Sequence, residues 1–215
     1  MAKKYDLVIF DLDGTLLDTS EGIFNSVRYA LKEMHLPQIS TELLRKFVGP
    51  PPKDMYKKIF DLSEEKALLA VQKHREYGKE KAIFEAKVYP EIKNVLAKLK
   101  KSNFKLACAT LKKQDIAEIV LRNFNLIEYF DVVVGMNECE SLSKTDTIRI
   151  AMENTKSKTA IMIGDSLYDL EGAKEMSLDF IGVLYGFGFS SFKELDSYNK
   201  SKGALRPSDI LSFIL

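Results

Sequence analysis

The sequence predicts an α/β protein: a doubly wound, mostly parallel sheet with an all-helical segment inserted after its first strand. Three observations carry that expectation. Leu7-Val8-Ile9-Phe10 is an unbroken apolar run with two β-branched members, the signature of a strand buried on both faces. From about residue 18 to about residue 84 the periodicity is helical and no strand pattern interrupts it. Beyond residue 85, short apolar runs alternate with amphipathic stretches, the pattern of parallel strands joined by helical crossovers.

In chain order, Asp11-Leu12-Asp13-Gly14 follows the first strand and Gly14 lets the chain turn away. Ile23, Val27, Ala30, Leu31 and Met34 then predict an amphipathic helix over about Ser20–His35, with Asp18, Thr19 and Ser20 as candidate caps and Pro37 beyond its end. A short helix is expected over Thr41–Phe47. Val48-Gly49-Pro50-Pro51-Pro52 is a rigid turn whose prolines start another helix near Lys53–Phe60. Ser63-Glu64-Glu65-Lys66 opens a helix running to about Tyr77. The alternation follows: helix Pro90–Lys101, strand Phe104–Ala109, helix Gln114–Phe124, strand Asp131–Val134, helix Lys144–Asn154, strand Thr159–Ile163, helix Tyr168–Met176, strand Phe180–Val183, and a last short helix over Pro207–Leu215. The economical architecture is a Rossmann-like core, about 1–17 plus 85–215, with a helical cap domain at 18–84.

The 215-residue chain is long enough for one sizeable domain with a smaller insertion. Lys plus Arg number 32 and Asp plus Glu 31, so no basic field attracts nucleic acid or an anionic membrane. Of two cysteines, Cys108 lies inside an apolar run and reads as a core residue, while Cys139 has no Cys-x-x-Cys partner; neither a disulfide framework nor a zinc site is expected. Met1-Ala2-Lys3-Lys4 leads directly into the first strand, leaving no room for a signal peptide, and no apolar run approaches the roughly 18 residues of a membrane span. A soluble cytoplasmic protein is the expectation, a monomer or weak homodimer.

Open α/β sheets bind ligands at the carboxyl ends of their strands. The first strand ends in Asp11-Leu12-Asp13, whose carboxylates converge because residues i and i+2 of an extended chain point the same way. Two carboxylates so close repel, and a divalent cation relieves that repulsion. A strand closing in a polar turn is the alternative reading of this stretch. The strand Leu106–Ala109 ends in Thr110, and Ile161–Ile163 ends in Gly164-Asp165-Ser166 with Asp169 one turn further. Lys144 opens the helix after the Asp131–Val134 strand. Taken singly, Thr110 reads as a helix cap and Asp165 with Ser166 as a capping turn; their joint placement on one sheet edge points to a site.

These motifs resemble, in order, those of the haloacid dehalogenase-like superfamily, most of whose members are Mg²⁺-dependent phosphatases. Asp11-Leu12-Asp13-Gly14-Thr15 is similar to its first motif, Thr110 to its second, Lys144 to its third, and Gly164-Asp165-Ser166 with Asp169 to its fourth. The helical insertion resembles the cap of the phosphoglycolate phosphatase-like branch, as do Gly49-Pro50-Pro51 and Tyr185-Gly186-Phe187-Gly188. Two positions depart from the pattern: Thr145 follows Lys144, and Glu91 follows Pro90, where many members carry Pro and Gly respectively. The resemblance implies a phosphatase acting on a small phosphorylated metabolite: phosphoglycolate, a nucleoside monophosphate or a sugar phosphate. Asp11 would be the nucleophile forming an aspartyl-phosphate, and Asp13 the acid–base group. Mg²⁺ would be held by Asp11, the Asp13 carbonyl and Asp165, with Asp169 behind them. Thr110, Leu111 and Lys144 would hold the phosphate, and Arg45 with Gly49 would reach the rest of the substrate. A phosphomutase of the β-phosphoglucomutase type and a catalytically silent phosphate sensor are the alternatives.

Overall fold

The computed structural model describes residues 4–48, 51–139, 141–197 and 202–215. The chain divides into two compact units, Met1–Asp18 with Val88–Leu215 and Thr19–Lys87. The second was expected to end near residue 84. It runs on because Glu85 belongs to it: its carboxylate accepts hydrogen bonds from Asn25 and Tyr77, and its carbonyl accepts from the Gly22 N–H.

The first unit is a six-stranded sheet. Its strands are β1 (Leu7–Phe10), β4 (Lys105–Lys113), β5 (Val132–Met136), β6 (Ala160–Gly164), β7 (Asp179–Val183) and β8 (Lys202–Ala204), in the spatial order β5-β4-β1-β6-β7-β8. Every neighbouring pair is parallel. The two remaining strands, β2 (Leu17–Asp18) and β3 (Lys87–Val88), are short segments where the chain leaves and re-enters this unit. Helices α5 (Ile92–Lys101), α6 (Gln114–Asn123), α7 (Lys144–Thr155) and α8 (Leu167–Glu175) are the crossovers. All four residues of β1 are fully buried, as a central parallel strand requires. Leu7, Ile9, Ala107, Ala109 and Met162 join Ile148 and Ala151 of α7 and Leu170 and Ala173 of α8 in one apolar cluster.

Three features differ from expectation. Strand β4 does not stop at Thr110 but runs to Lys113, with a register shift against β5 between Ala109 and Lys113. The polar run Lys112-Lys113 hides this extension, since apolar character ends before pairing does. A helix α9 (Phe192–Ser197) and the three-residue strand β8 occupy a stretch in which no element was expected; elements so short carry no readable period. The helix expected from Pro90 starts instead at Ile92, because Glu91 before it is left-handed at φ 68°.

The second unit holds α1 (Ser20–Glu33), α2 (Thr41–Arg45), α3 (Pro52–Phe60) and α4 (Glu64–Glu80). Val27, Ala30 and Leu31 of α1 pack with Leu44, Phe47, Met55, Tyr56, Ala67, Ala70 and Val71 in a core of its own. The Ser40 and Ser63 hydroxyls accept from the backbone N–H groups of Leu43 and Lys66, capping α2 and α4. No helix among the described residues is long and apolar enough to cross a membrane.

Candidate active site

Because β1 lies between β4 and β6, its carboxyl end sets Asp11 between Thr110 on one side and Asp165 on the other. The Asp11 N–H donates to the Ile163 carbonyl at 2.9 Å, which locks the turn of chain beyond β1 to β6. Asp11, Asp165 and Asp169 each offer a carboxylate oxygen within 4.8 Å of the others, and all three residues are buried.

Lys144 is the cation of this cluster. Helix α7 starts at this residue, capped by Ser143 in a reciprocal box with Asp146. Its ammonium donates to Asp11 and to the Ala109 carbonyl at 2.7 Å, lies 2.7 Å from Asp169 Oδ1, and has a side chain only 5% exposed. Burial opposes its charge, yet Asp11 and Asp169 win and hold it above the ordinary lysine value. Burial, then the neighbouring carboxylates, push Asp11 up to about 8. Burial and the Asp169 charge push Asp165 up to about 7, against the pull of the Phe187 and Gly188 N–H groups on its Oδ2 at 2.7 and 3.2 Å.

Asp169 serves two ends. Its Oδ2 takes the Ser166 N–H and hydroxyl, completing the cap of α8, while its Oδ1 faces Lys144. Ser166 thus caps α8 as the capping reading expected, but its partner is Asp169 rather than Asp165. Gly14, at φ 80°, turns the chain so closely past Asp165 that a Cβ there would sit 2.2 Å from Asp165 Oδ2. Gly186 is as confined: a Cβ would lie 2.4 Å from both Asp165 Cβ and the Gly14 carbonyl oxygen. Thus Tyr185-Gly186-Phe187-Gly188, noticed in the sequence without a role, is the cradle of Asp165.

A hard divalent cation fits these residues. The donors are oxygens only, three carboxylates face one ammonium among the described residues, and burial together with their mutual repulsion drives two of them toward protonation. Asp13 Oδ1 and Asp169 Oδ1 are buried without an aligned hydrogen-bond donor. The Asp13 carboxylate pairs through its Oδ2 with Lys112 at 2.8 Å, which leaves its backbone carbonyl, the atom expected to face the cation, uninvolved in that contact. Asp169 is the third carboxylate of the cluster.

Thr110 is buried beside Asp11, its hydroxyl accepting the Lys112 N–H at 3.2 Å. Leu111 between them is 36% exposed. Arg45 lies in the helical unit, exposed at the end of α2. Gly49 lies outside the described residues. Lys112 and Tyr89 went unpredicted. The Tyr89 ring stands edge-on to Tyr185 at 4.8 Å, and burial, then Asp18, Asp165 and Asp13, raise its phenol. Lys112 stands two residues past Thr110, a signal usable only once β4 is known to continue.

A family model for haloacid dehalogenase-like hydrolases matches residues 8–183. Over 190 residues the chain is 32% identical to a 5'-nucleotidase of Pseudomonas aeruginosa, covering 87% of this chain and 86% of that protein. It is 27% identical over 211 residues to the phosphoglycolate phosphatase of Aquifex aeolicus, covering 97% and 96%. Its fold superimposes on a haloacid dehalogenase-like family hydrolase from Streptococcus pneumoniae with a TM-score of 0.90, 32% identity and 99% of each chain covered.

Proposed function

The chain belongs to the haloacid dehalogenase-like hydrolases, and from that premise we propose that it is a Mg²⁺-dependent phosphatase of small phosphate monoesters working through an aspartyl-phosphate. The observation that carries this reading is the convergence of Asp11, Lys144, Asp165 and Asp169 at one strand end, with Thr110 beside them and Asp13 two residues on. Asp11, the Asp13 carbonyl and Asp165 would hold the cation, with Asp169 behind them, and when bound it supplies the positive charge a phosphate dianion needs in order to approach carboxylates.

The remaining roles belong to the chain itself. Lys144 and the Thr110 hydroxyl hold the phosphoryl oxygens. An Asp11 oxygen attacks phosphorus, the ester P–O bond breaks, and Asp13 gives its proton to the leaving oxygen. Asp13, now a carboxylate, takes a proton from water as that water attacks phosphorus. The bond to Asp11 breaks, releasing inorganic phosphate and restoring both acids.

The test is turnover of p-nitrophenyl phosphate by chelated protein with and without added Mg²⁺, followed by a panel of phosphorylated metabolites. Mg²⁺-dependent release of phosphate is expected. Phosphoryl return to a sugar would make the enzyme a mutase, and binding without turnover of any member would make it a silent sensor; either result refutes the hydrolase reading.

A further inference from the structure

Lys112 and Lys144 stand on the same edge of the sheet, and their surroundings differ in kind. Lys144 is buried and committed to Asp11, Asp169 and the Ala109 carbonyl. Lys112 has a single carboxylate partner among the described residues, Asp13, and the two side chains are 25% and 29% exposed. An ammonium has three donors, so two of them are open to a ligand. A partly exposed single ion pair contributes little, on the order of 0–1 kcal/mol, and exchanges readily for another anion.

Its position gives that availability a use. Resting on the reading of Asp13 as the group that protonates the leaving oxygen, whatever the leaving oxygen is bonded to must lie close to Asp13. The ammonium of Lys112 is already 2.8 Å from the Asp13 carboxylate. A group two to four bonds beyond the leaving oxygen lies roughly 3–5 Å from it at ordinary bond lengths, within reach of an ammonium that already touches the Asp13 carboxylate. The Lys112 N–H also donates to the Thr110 hydroxyl, so the residue that holds the phosphoryl group and the residue that meets the far side of the substrate are tied together on β4.

We propose that Lys112 is a specificity-determining residue whose ammonium exchanges its Asp13 contact for a second anionic group on the leaving part of the substrate. The preferred class is then phosphate esters or anhydrides carrying a carboxylate or phosphate two to four bonds from the leaving oxygen.

Two substrates of the same shape isolate the charge: 2-phosphoglycolate and its amide, phosphoglycolamide. kcat and KM are measured for both, with Mg²⁺, on the wild-type chain, on the charge-removing variants Lys112→Met and Lys112→Gln, and on Lys112→Arg. A charge-assisted contact is worth roughly 10- to 100-fold in kcat/KM. The wild type should prefer the acid to the amide by about that factor, chiefly through KM. Lys112→Met and Lys112→Gln should bring the ratio toward one, and Lys112→Arg should keep most of it. A wild-type ratio near one, or a ratio unmoved in both charge-removing variants, overturns the proposal. Equal losses on both substrates leave Lys112 only holding Asp13 and overturn it as well. If the wild type turns over p-nitrophenyl phosphate but neither of the pair, the substrate class fails while the phosphatase reading stands. If p-nitrophenyl phosphate is also untouched, the phosphatase reading itself fails.

Discussion

Replacing Lys144 with Met removes the ammonium and keeps an apolar stem of similar length. Three buried carboxylates then face one another without the cation that touches two of them. Breaking a buried pair by removing one partner costs about 3–5 kcal/mol, because the remaining charge stays desolvated. For a chain of 215 residues each kcal/mol moves Tm by about 2–4 °C, so a fall of roughly 6–20 °C is expected. The loss must depend on pH. Asp11 and Asp165 already titrate at about 8 and about 7 with Lys144 present. A carboxyl raised in the folded state stabilises it while protonated and loses that contribution as pH rises through the folded value. Removing Lys144 also removes the charge that favours the ionised form of Asp11, so the variant gives up more stability as pH rises past the values these acids have in the wild type, and its deficit should be larger at pH 8.5 than at pH 5.5. Circular-dichroism melts of chelated wild-type and variant protein at the two pH values measure it. A variant that melts within 2 °C of wild type at pH 8.5 would refute the reasoning (the threshold being about 1 kcal/mol).

The same titrations bear on the metal. Chelated wild type should lose stability between pH 5.5 and 8.5, and millimolar Mg²⁺ should raise Tm more at pH 8.5, since binding must displace protons from Asp11 and Asp165; equal Mg²⁺ shifts at both pH values count against those ligands. Asp13→Asn should release about one equivalent of nitrophenolate per enzyme from p-nitrophenyl phosphate and then stall, because that leaving group needs no proton while water attack still lacks its base; Asp11→Asn should show no burst, and the reverse pattern in stopped-flow traces would exchange the two roles. Glu91→Gly should raise Tm by about 1–3 °C, as it relieves a left-handed residue costing roughly 1–2 kcal/mol, less what glycine gains when unfolded, and a lower Tm would show that Glu91 holds its turn by a contact of its own.

The sheet was legible because its central strands are short, apolar and separated by helices with clear 3.6-residue periodicity. Asp11, Thr110, Lys144 and Asp165 were legible because each stands at a strand end or at the start of a crossover helix. The continuation of β4 was not, since Lys112 and Lys113 look like loop residues until Met136 is seen paired with Lys113. The partner of Asp13 was hidden for the same reason: the pair spans residues 13 and 112, and nothing local to either names the other. Asp169 was visible as a site acid, while the capping turn was read on Asp165 with Ser166, and only the fold shows that Asp169 is the partner of Ser166 in the cap.

The placement of β1 shapes how the protein is made. This strand is central in the sheet but first in the chain, and its partners begin at Lys105 and Ala160. During synthesis an apolar strand therefore waits while the helical unit and then the rest of the core emerge. Closing a loop of roughly a hundred residues costs about 4 kcal/mol from its logarithmic dependence on length alone. The helical unit has a core of its own and folds on nearby contacts, so it can condense early and shorten the effective loop that β1 must close. Its first service to the sheet is then kinetic. A lesion confined to α1–α4 should slow the pairing of β1 with β4 and prolong the time in which Leu7-Val8-Ile9-Phe10 is open to aggregation.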